Sequence, residues 1–259
     1  MTAVLAVENL GLRFGTSLPV IRGVSFAIEK GEVLGIVGES GSGKTLTARC
    51  ILGLQPPSAT VSGSIRLHGT ELVGSSEKSH RLARAHDIGY VAQDARASLH
   101  PLLTVQTLIT EHQRINLGIG MKPATQRAIE LLDLMRIPDP VGALHKRPGE
   151  FSGGMRQRIM IAVALACDPS LLIADEPTTA LDATVQATVI GLFDRIRRQL
   201  GIGVALISHD LGVISALSDK VIVMAQGVVV EHGSRRQVLS TPTHPYTRSL
   251  LEAVSRGRL

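Results

Sequence analysis

Gly38-Glu39-Ser40-Gly41-Ser42-Gly43-Lys44-Thr45 fits the phosphate-binding pattern G-x-x-x-x-G-K-[ST] at every constrained position. Its glycines and serines let the backbone wrap round a polyphosphate with N–H groups pointing inward, a concavity that bulkier side chains would obstruct. Upstream, Val33-Leu34-Gly35-Ile36-Val37 reads as a buried strand; downstream, Leu46 to Leu54 reads as a helix whose N-terminal dipole faces the phosphates. In that setting Lys44 reaches the β- and γ-phosphates and Thr45 ligates magnesium. The stretch is a nucleotide site.

The 259 residues, 44% of them apolar, support a sizeable α/β core. Cys50 and Cys167 lie in apolar helical patterns without metal-ligand spacing, so both are expected to be free thiols in a reducing cytoplasm. The longest apolar run, Ile159 to Cys167, falls far short of the roughly 20 residues that cross a bilayer, and no leader pattern opens the chain. Neither a spanning nor a secreted protein is expected. The net charge of +5 is dispersed, and 2% aromatic content leaves few platforms for bases, which argues against nucleic acid as a partner.

Ahead of the phosphate loop, Val4-Leu5-Ala6-Val7 and Val24 to Ile28 read as antiparallel strands flanking the turn-prone Gly15-Thr16-Ser17-Leu18-Pro19, with Val61 to Leu72 a hairpin of the same layer. Phe14, just before that turn, is either strand packing or a ring stacked on adenine. Arg81 to Ala85 reads as a helix end or loop, and Ile88 to Ala92 as a core strand ending at Gln93. From Thr104 to Arg136 the period becomes helical, with Ala128, Leu131, Leu132 and Met135 on one face and Pro138-Asp139-Pro140 as the stop. Ser152-Gly153-Gly154 opens a further helix running to Ala166.

Leu171-Leu172-Ile173-Ala174 is a strand ending in Asp175 and Glu176. A helix with Asp182 as N-cap and Gly201 as terminator follows, then strand Val204 to Ile207 delivering Ser208-His209-Asp210. After a short helix to Leu217, strands Val221 to Met224 and Val228 to Val230 flank Gln226-Gly227, and Ser234 to Leu259 reads as a small appended tail. Alternating strands and helices imply a mostly parallel sheet with ligand loops at its carboxyl edge. Four strand ends, at Gly38, Gln93, Asp175 and His209, deliver groups suited to magnesium, phosphate or water. Asp175 matches the acid that holds magnesium, Glu176 is placed to deprotonate a water, and Gln93 can complete the metal shell or sense that water. Hydrolysis is favoured over simple binding.

In the same order stand Gly38 to Thr45, Gln93, Phe151-Ser152-Gly153-Gly154-Met155, Leu171 to Glu176, Ala180-Leu181-Asp182 and His209. Over nearly its whole length the chain resembles an ATP-binding cassette (ABC) ATPase. The resemblance implies a RecA-like P-loop core with an N-terminal antiparallel β subdomain and an inserted α-helical subdomain. It places the ATPase domain at 1–235, the helical subdomain at about 98–165 and the tail at 236–259. It further implies ATP and Mg2+ as cofactors, Phe14 on adenine, Gln93 linking the site to a membrane subunit, Glu176 as general base and His209 as γ-phosphate switch. Ser152, Gly153 and Gly154 would act on the nucleotide of a second cassette, with Asp182 contacting across that dimer. Met155 departs from the family's common glutamine.

Phe-Ser-Gly-Gly-Met-Arg-Gln-Arg and the tail His244-Pro245-Tyr246-Thr247-Arg248 are similar to the oligopeptide, dipeptide and nickel importer subfamily. That likeness implies transmembrane permease subunits as partners, a second and different but related cassette, an extracytoplasmic substrate-binding protein acting indirectly, and a peripheral place on the cytoplasmic face of a bacterial inner membrane. Peptides, nickel or metal chelates are the implied cargo. Longer subfamily members carry a cysteine-bearing extension; with no cysteine after Cys167, no iron–sulfur cluster is expected. The alternatives are a soluble cassette acting on nucleic acid in repair or chromosome organisation, and a regulatory module with a dead site. The first is disfavoured because phosphate loop and signature fit one compact domain, the second because every catalytic position is filled.

Overall fold

The computed structural model describes residues 3–179 and 181–255; Ala180 and the end of the tail lie outside them. Strands β1 (Leu5–Phe14) and β2 (Ile21–Ile28) pair antiparallel across the predicted turn. Next come β3 (Val33–Val37), the phosphate loop and α1 (Lys44–Leu52), which ends where Gly53 turns left-handed at φ 65°. The hairpin β4 (Ala59–Leu67) and β5 (Thr70–Glu71) completes a four-stranded antiparallel sheet of order β2-β1-β4-β5. Helix α2 (Glu77–His86) and strand β6 (Ile88–Val91) follow.

The segment expected to be a helix end or loop at Arg81 to Ala85 therefore lies inside a full helix. Ser76 caps α2 by accepting from the Ser79 N–H at 3.2 Å. Only Ala83 of this helix is buried, so there was no apolar period to find.

Helices α3 (Ala95–Ser98), α4 (Val105–Leu117), α5 (Met121–Leu134), α6 (Pro140–Leu144) and α7 (Gly153–Ala164) form the helical insert. The single helical stretch expected from Thr104 to Arg136 is two helices, because Gly118 turns left-handed at φ 67° and Gly120 caps the second. The predicted face is correct: Ala128, Leu131, Leu132 and Met135 are fully buried. Arg158 of α7 closes the end of α5, donating from Nη1 to the carbonyls of Met135 at 3.2 Å and Arg136 at 2.7 Å.

The chain then alternates through β7 (Leu171–Asp175), α8 (Ala183–Leu200), β8 (Gly203–Ile207), α9 (Leu211–Leu217), β9 (Lys220–Ala225) and β10 (Val228–Ser234). The tail folds as α10 (Arg235–Ser240) and α11 (Pro245–Ser255). The second sheet has the order β10-β9-β3-β8-β7-β6, parallel except at the β9–β10 hairpin. Its inner strands β3, β7 and β8 are buried along their whole length because both faces are covered. Leu34, Ile36, Leu171, Ile173, Ala205 and Ile207 join the core shared with the antiparallel sheet and α1. Val33, Val37, Leu172, Ala174, Val204 and Leu206 join the core shared with α8, α9 and the insert.

Cys50 sits in the first of these cores, where burial pushes its thiol up to about 12. Because the thiolate is the reactive species, Cys50 should resist iodoacetamide at neutral pH in the native protein and react once the chain is unfolded. Mass spectrometry of the labelled protein checks this, and rapid native labelling would contradict the packing.

Candidate nucleotide site

Parallel register brings the predicted strand ends to one edge. Ile36 pairs with Ile207, so Gly38 and His209 each lie two residues beyond a matched pair; Val91 pairs with Ala174, which does the same for Gln93 and Glu176. Together they line a cleft of about 540 Å³ with Glu39, Ser40, Gly41, Gly43, Lys44 and Thr45. Gly38 has φ 152°, and a Cβ there would stand 2.1 Å from the Met224 carbonyl oxygen, so no other residue lets β3 turn into the loop at this point.

The buried Lys44 ammonium donates to the carbonyls of Gly38 at 2.7 Å and Glu39 at 2.8 Å, with Ser42 Oγ at 3.4 Å. Burial holds its pKa below the usual lysine range, opposed by the negative charges of Glu176, Asp175 and Glu39. Ser42 and Asp175 are buried, and Asp175 is joined to the loop through Thr45, whose hydroxyl donates to Asp175 Oδ1 at 3.2 Å. Desolvation raises the Asp175 carboxyl above its usual value; the Thr45 hydroxyl lowers it and the neighbouring Glu176 raises it further.

Glu176 has the left-handed φ of 51°, uncommon for a side chain of its kind, and its N–H donates to the Ile207 carbonyl at 2.8 Å. Its Oε2 accepts from Gln93 Nε2 at 2.9 Å and Thr179 Oγ1 at 3.0 Å, while His209 Nδ1 lies 3.2 Å from Oε1. Groups from the ends of β6, β7 and β8 thus hold one carboxylate over the phosphate loop.

Thr45 hydroxyl, Asp175 carboxylate and Gln93 amide are hard donors of the kind magnesium takes. Among the described residues no group of three or more His, Cys, Asp or Glu is arranged to hold a metal. The desolvated Asp175 carboxylate, hydrogen-bonded to the Thr45 hydroxyl, is the group whose charge a cation bound there would relieve.

Other predicted residues stand apart from the cleft. Phe14, half-buried, packs against the core beneath the antiparallel sheet. Ser152 caps α7, accepting from the Met155 N–H at 3.3 Å; Asp182 Oδ1 caps α8, accepting from Thr184 and Val185 N–H at 3.1 and 3.0 Å. Ser152, Gly153 and Asp182 are exposed, and Gly154 is buried where a Cβ would lie 2.4 Å from Val185 Cγ1. Met155 packs partly against the core. Sequence reasoning missed Thr179, whose signal was a hydroxyl three residues after the acid, and Tyr90, whose hydroxyl lies 3.5 Å from Asp175 Oδ2. It also missed Leu250 of the tail, which lines the cleft and gave no local signal.

With the phosphate loop and the Asp175-Glu176 step at one edge of the parallel sheet, the fold is that of a nucleotide-hydrolysing cassette. The ABC transporter family pattern matches residues 21–179, and the chain belongs to that family. It is 45% identical over 261 residues to the dipeptide transport ATP-binding protein DppD of Bacillus subtilis (strain 168), covering 99% of this chain and 78% of that one. The oligopeptide transport ATP-binding protein OppD of the same organism is 44% identical over 259 residues, covering 98% and 72%. Among solved structures, cbiO1 from Clostridium perfringens, part of the ABC transporter complex cbiONQ, matches with a TM-score of 0.81 at 26% identity over 99% of this chain and 97% of that one. The dimeric cassette MJ0796 bound to ADP and Pi matches at 0.78 and 25% identity, covering 90% and 99%.

Below pH 3.8, the ordinary value, Asp175 is protonated folded or unfolded and costs nothing; once pH exceeds the raised folded value, its buried charge weighs fully against the folded state. Asp175→Asn should therefore raise the melting temperature of the nucleotide-free protein at neutral pH, by about 2–4 °C per kcal/mol recovered, with the gain fading toward pH 3.8. The same variant should lose the magnesium-dependent part of its stabilisation by ATP. A fall in the nucleotide-free melting temperature would contradict this account.

Proposed function

We propose that the chain is the ATP-hydrolysing subunit of a peptide importer, acting with magnesium, a second cassette and transmembrane permease subunits. The observation that carries the hydrolytic reading is the Glu176 carboxylate, fixed over the phosphate loop by Gln93, Thr179 and His209. Loop N–H groups and Lys44 hold the triphosphate, and the resemblance assigns the adenine to Phe14, whose half-buried ring lies outside the cleft on the antiparallel sheet. Thr45, Asp175 and Gln93 would hold magnesium, which when bound neutralises charge on the β- and γ-phosphates. Glu176 takes a proton from the water whose oxygen attacks the γ-phosphorus, as the bond from that phosphorus to the bridging oxygen breaks and ADP leaves. His209, beside Glu176, reports the γ-phosphate.

Ser152, Gly153, Gly154 and Asp182 lie outside their own chain's cleft, which supports their acting on the nucleotide of a partner cassette. ATP would then join two cassettes and hydrolysis release them. Peptide is favoured over the nickel and metal-chelate cargoes because the named relatives transport dipeptides and oligopeptides. Those names likewise favour transport over action on nucleic acid. Among the described residues no helix is long and apolar enough to cross a membrane, so coupling is assigned to separate permease subunits at the cytoplasmic face, with a substrate-binding protein acting through them.

A second, largely apolar cleft of about 360 Å³ between the core and the insert, lined by Leu52, Leu54, Leu99, Met160 and Val163 among others, is the proposed permease seat. Gln93 leads directly into α3 beside it.

Glu176→Gln should still bind MgATP but hydrolyse it about 10²–10⁴-fold more slowly, whereas Lys44→Ala should weaken MgATP binding about 10–100-fold through loss of charge-assisted hydrogen bonds. Single-turnover hydrolysis and equilibrium titration separate the two, and normal turnover by Glu176→Gln would remove the general-base assignment. Leu54→Glu, which places a charge in the second cleft, should abolish co-purification with co-expressed permease subunits and leave the isolated chain's ATPase rate unchanged. Undiminished association would move the permease seat elsewhere.

A further inference from the structure

The stretch His244-Pro245-Tyr246-Thr247-Arg248 has no task in the hydrolytic scheme, yet it is built with care. Glu231 on β10 accepts from the N–H of Thr243 at 2.7 Å, the Thr243 hydroxyl at 3.0 Å and the N–H of His244 at 3.2 Å. His244 Nδ1 accepts from the Tyr246 N–H at 3.2 Å, and Pro245 begins α11, where its fixed φ suits a first helical position. Arg248 reaches back to the carbonyls of Pro242 and Thr243, both at 3.1 Å, while Thr247 is buried. The start of α11 is therefore locked to β10.

From that fixed base, Tyr246 Oη accepts a hydrogen bond from the Glu39 N–H at 3.1 Å. Leu250, one turn further along the same face, lines the nucleotide cleft. The Glu39 N–H and the Gly38 carbonyl belong to one planar peptide, and that carbonyl accepts from Lys44 Nζ at 2.7 Å. One amide thus has the tail's phenol on its donor end and the phosphate-binding lysine on its acceptor end. Hydrogen bonds at both ends of an amide polarise and orient each other.

We propose that Tyr246 is a positioning residue for nucleotide binding: through the Gly38–Glu39 peptide it sets the plane from which Lys44 reaches the phosphates, which makes the tail a strut of the ATP site. The proposal rests on the assignment of the cleft to ATP. Tyr246→Phe keeps the ring and removes only the hydroxyl, so the melting temperature of the nucleotide-free chain should fall by no more than about 2–4 °C, while the MgATP Kd should rise about two- to tenfold, the effect of one such bond. In a Lys44→Ala background the same substitution should change the Kd no further, because its effect passes through the lysine.

Equal Kd values for wild type and Tyr246→Phe would overturn the proposal, as would the same fold-loss in both backgrounds, which is the result for a merely structural contact. Amide hydrogen exchange on the unsubstituted chain needs no variant: the Glu39 N–H should be protected, and free exchange would also overturn it. If the wild type bound no MgATP, the nucleotide reading would fall together with the proposal; wild-type binding without a Tyr246 effect sinks the proposal alone.

Discussion

The site depends above all on the pairing register of the parallel strands. A slip of one residue would turn every side chain of a strand to the opposite face of the sheet. Here both faces are buried by different partners, with Leu34 and Ile36 committed to one core and Val33 and Val37 to the other, so a slip would misplace large and small side chains on both sides at once. The same register sets where the chain leaves the sheet. Gly38, Gln93, Glu176 and His209 meet because their strands are fixed in step, and the loops that carry them add little length in which to drift.

Electrostatics at that edge point in one direction. Burial lowers the pKa of Lys44 and raises that of Asp175, two shifts of opposite sign that each disfavour the charged form. Their mutual attraction offsets part of the cost, but desolvation is the largest cause for both. Such a pair is better served by a ligand that brings an anion to the lysine and a cation to the aspartate than by either partner alone. A metal–polyphosphate complex has that charge layout, and two such opposed perturbations at one strand edge are the pattern by which candidate functional sites are recognised.

Much of this was legible in the sequence because the signals were local. The phosphate loop, the Asp175-Glu176 step and the caps at Asp182 and Gly201 each depend on a few neighbouring residues, and the apolar runs of β3, β7 and β8 required only that both faces be covered. Helix α2 was not legible, since a helix that buries one alanine has no period to read. The break between α4 and α5 was missed because apolar residues such as Ile115, Leu117 and Met121 carry the hydrophobic pattern up to it in the sequence although they are exposed, while Gly118 redirects the backbone. The tail motif that holds Tyr246 was legible but its contact was not, for a different reason: Glu39 lies far back in the chain, and no pattern within the tail encodes the loop that Tyr246 and Leu250 meet.

The start of α7 does more than its own helix asks of it. Ser152 spends its hydroxyl oxygen on the Met155 N–H, yet a helix start has four unpaired N–H groups and one cap satisfies only part of them. Gly154 is accounted for within the chain, because α7 passes too near Val185 for a side chain. Gly153 is not: it is exposed, has open space where a Cβ would stand and carries no left-handed φ. A glycine that its own fold does not require, at the positive end of a helix, leaves a flat, donor-rich surface on which an anion held by another molecule can come close to the backbone.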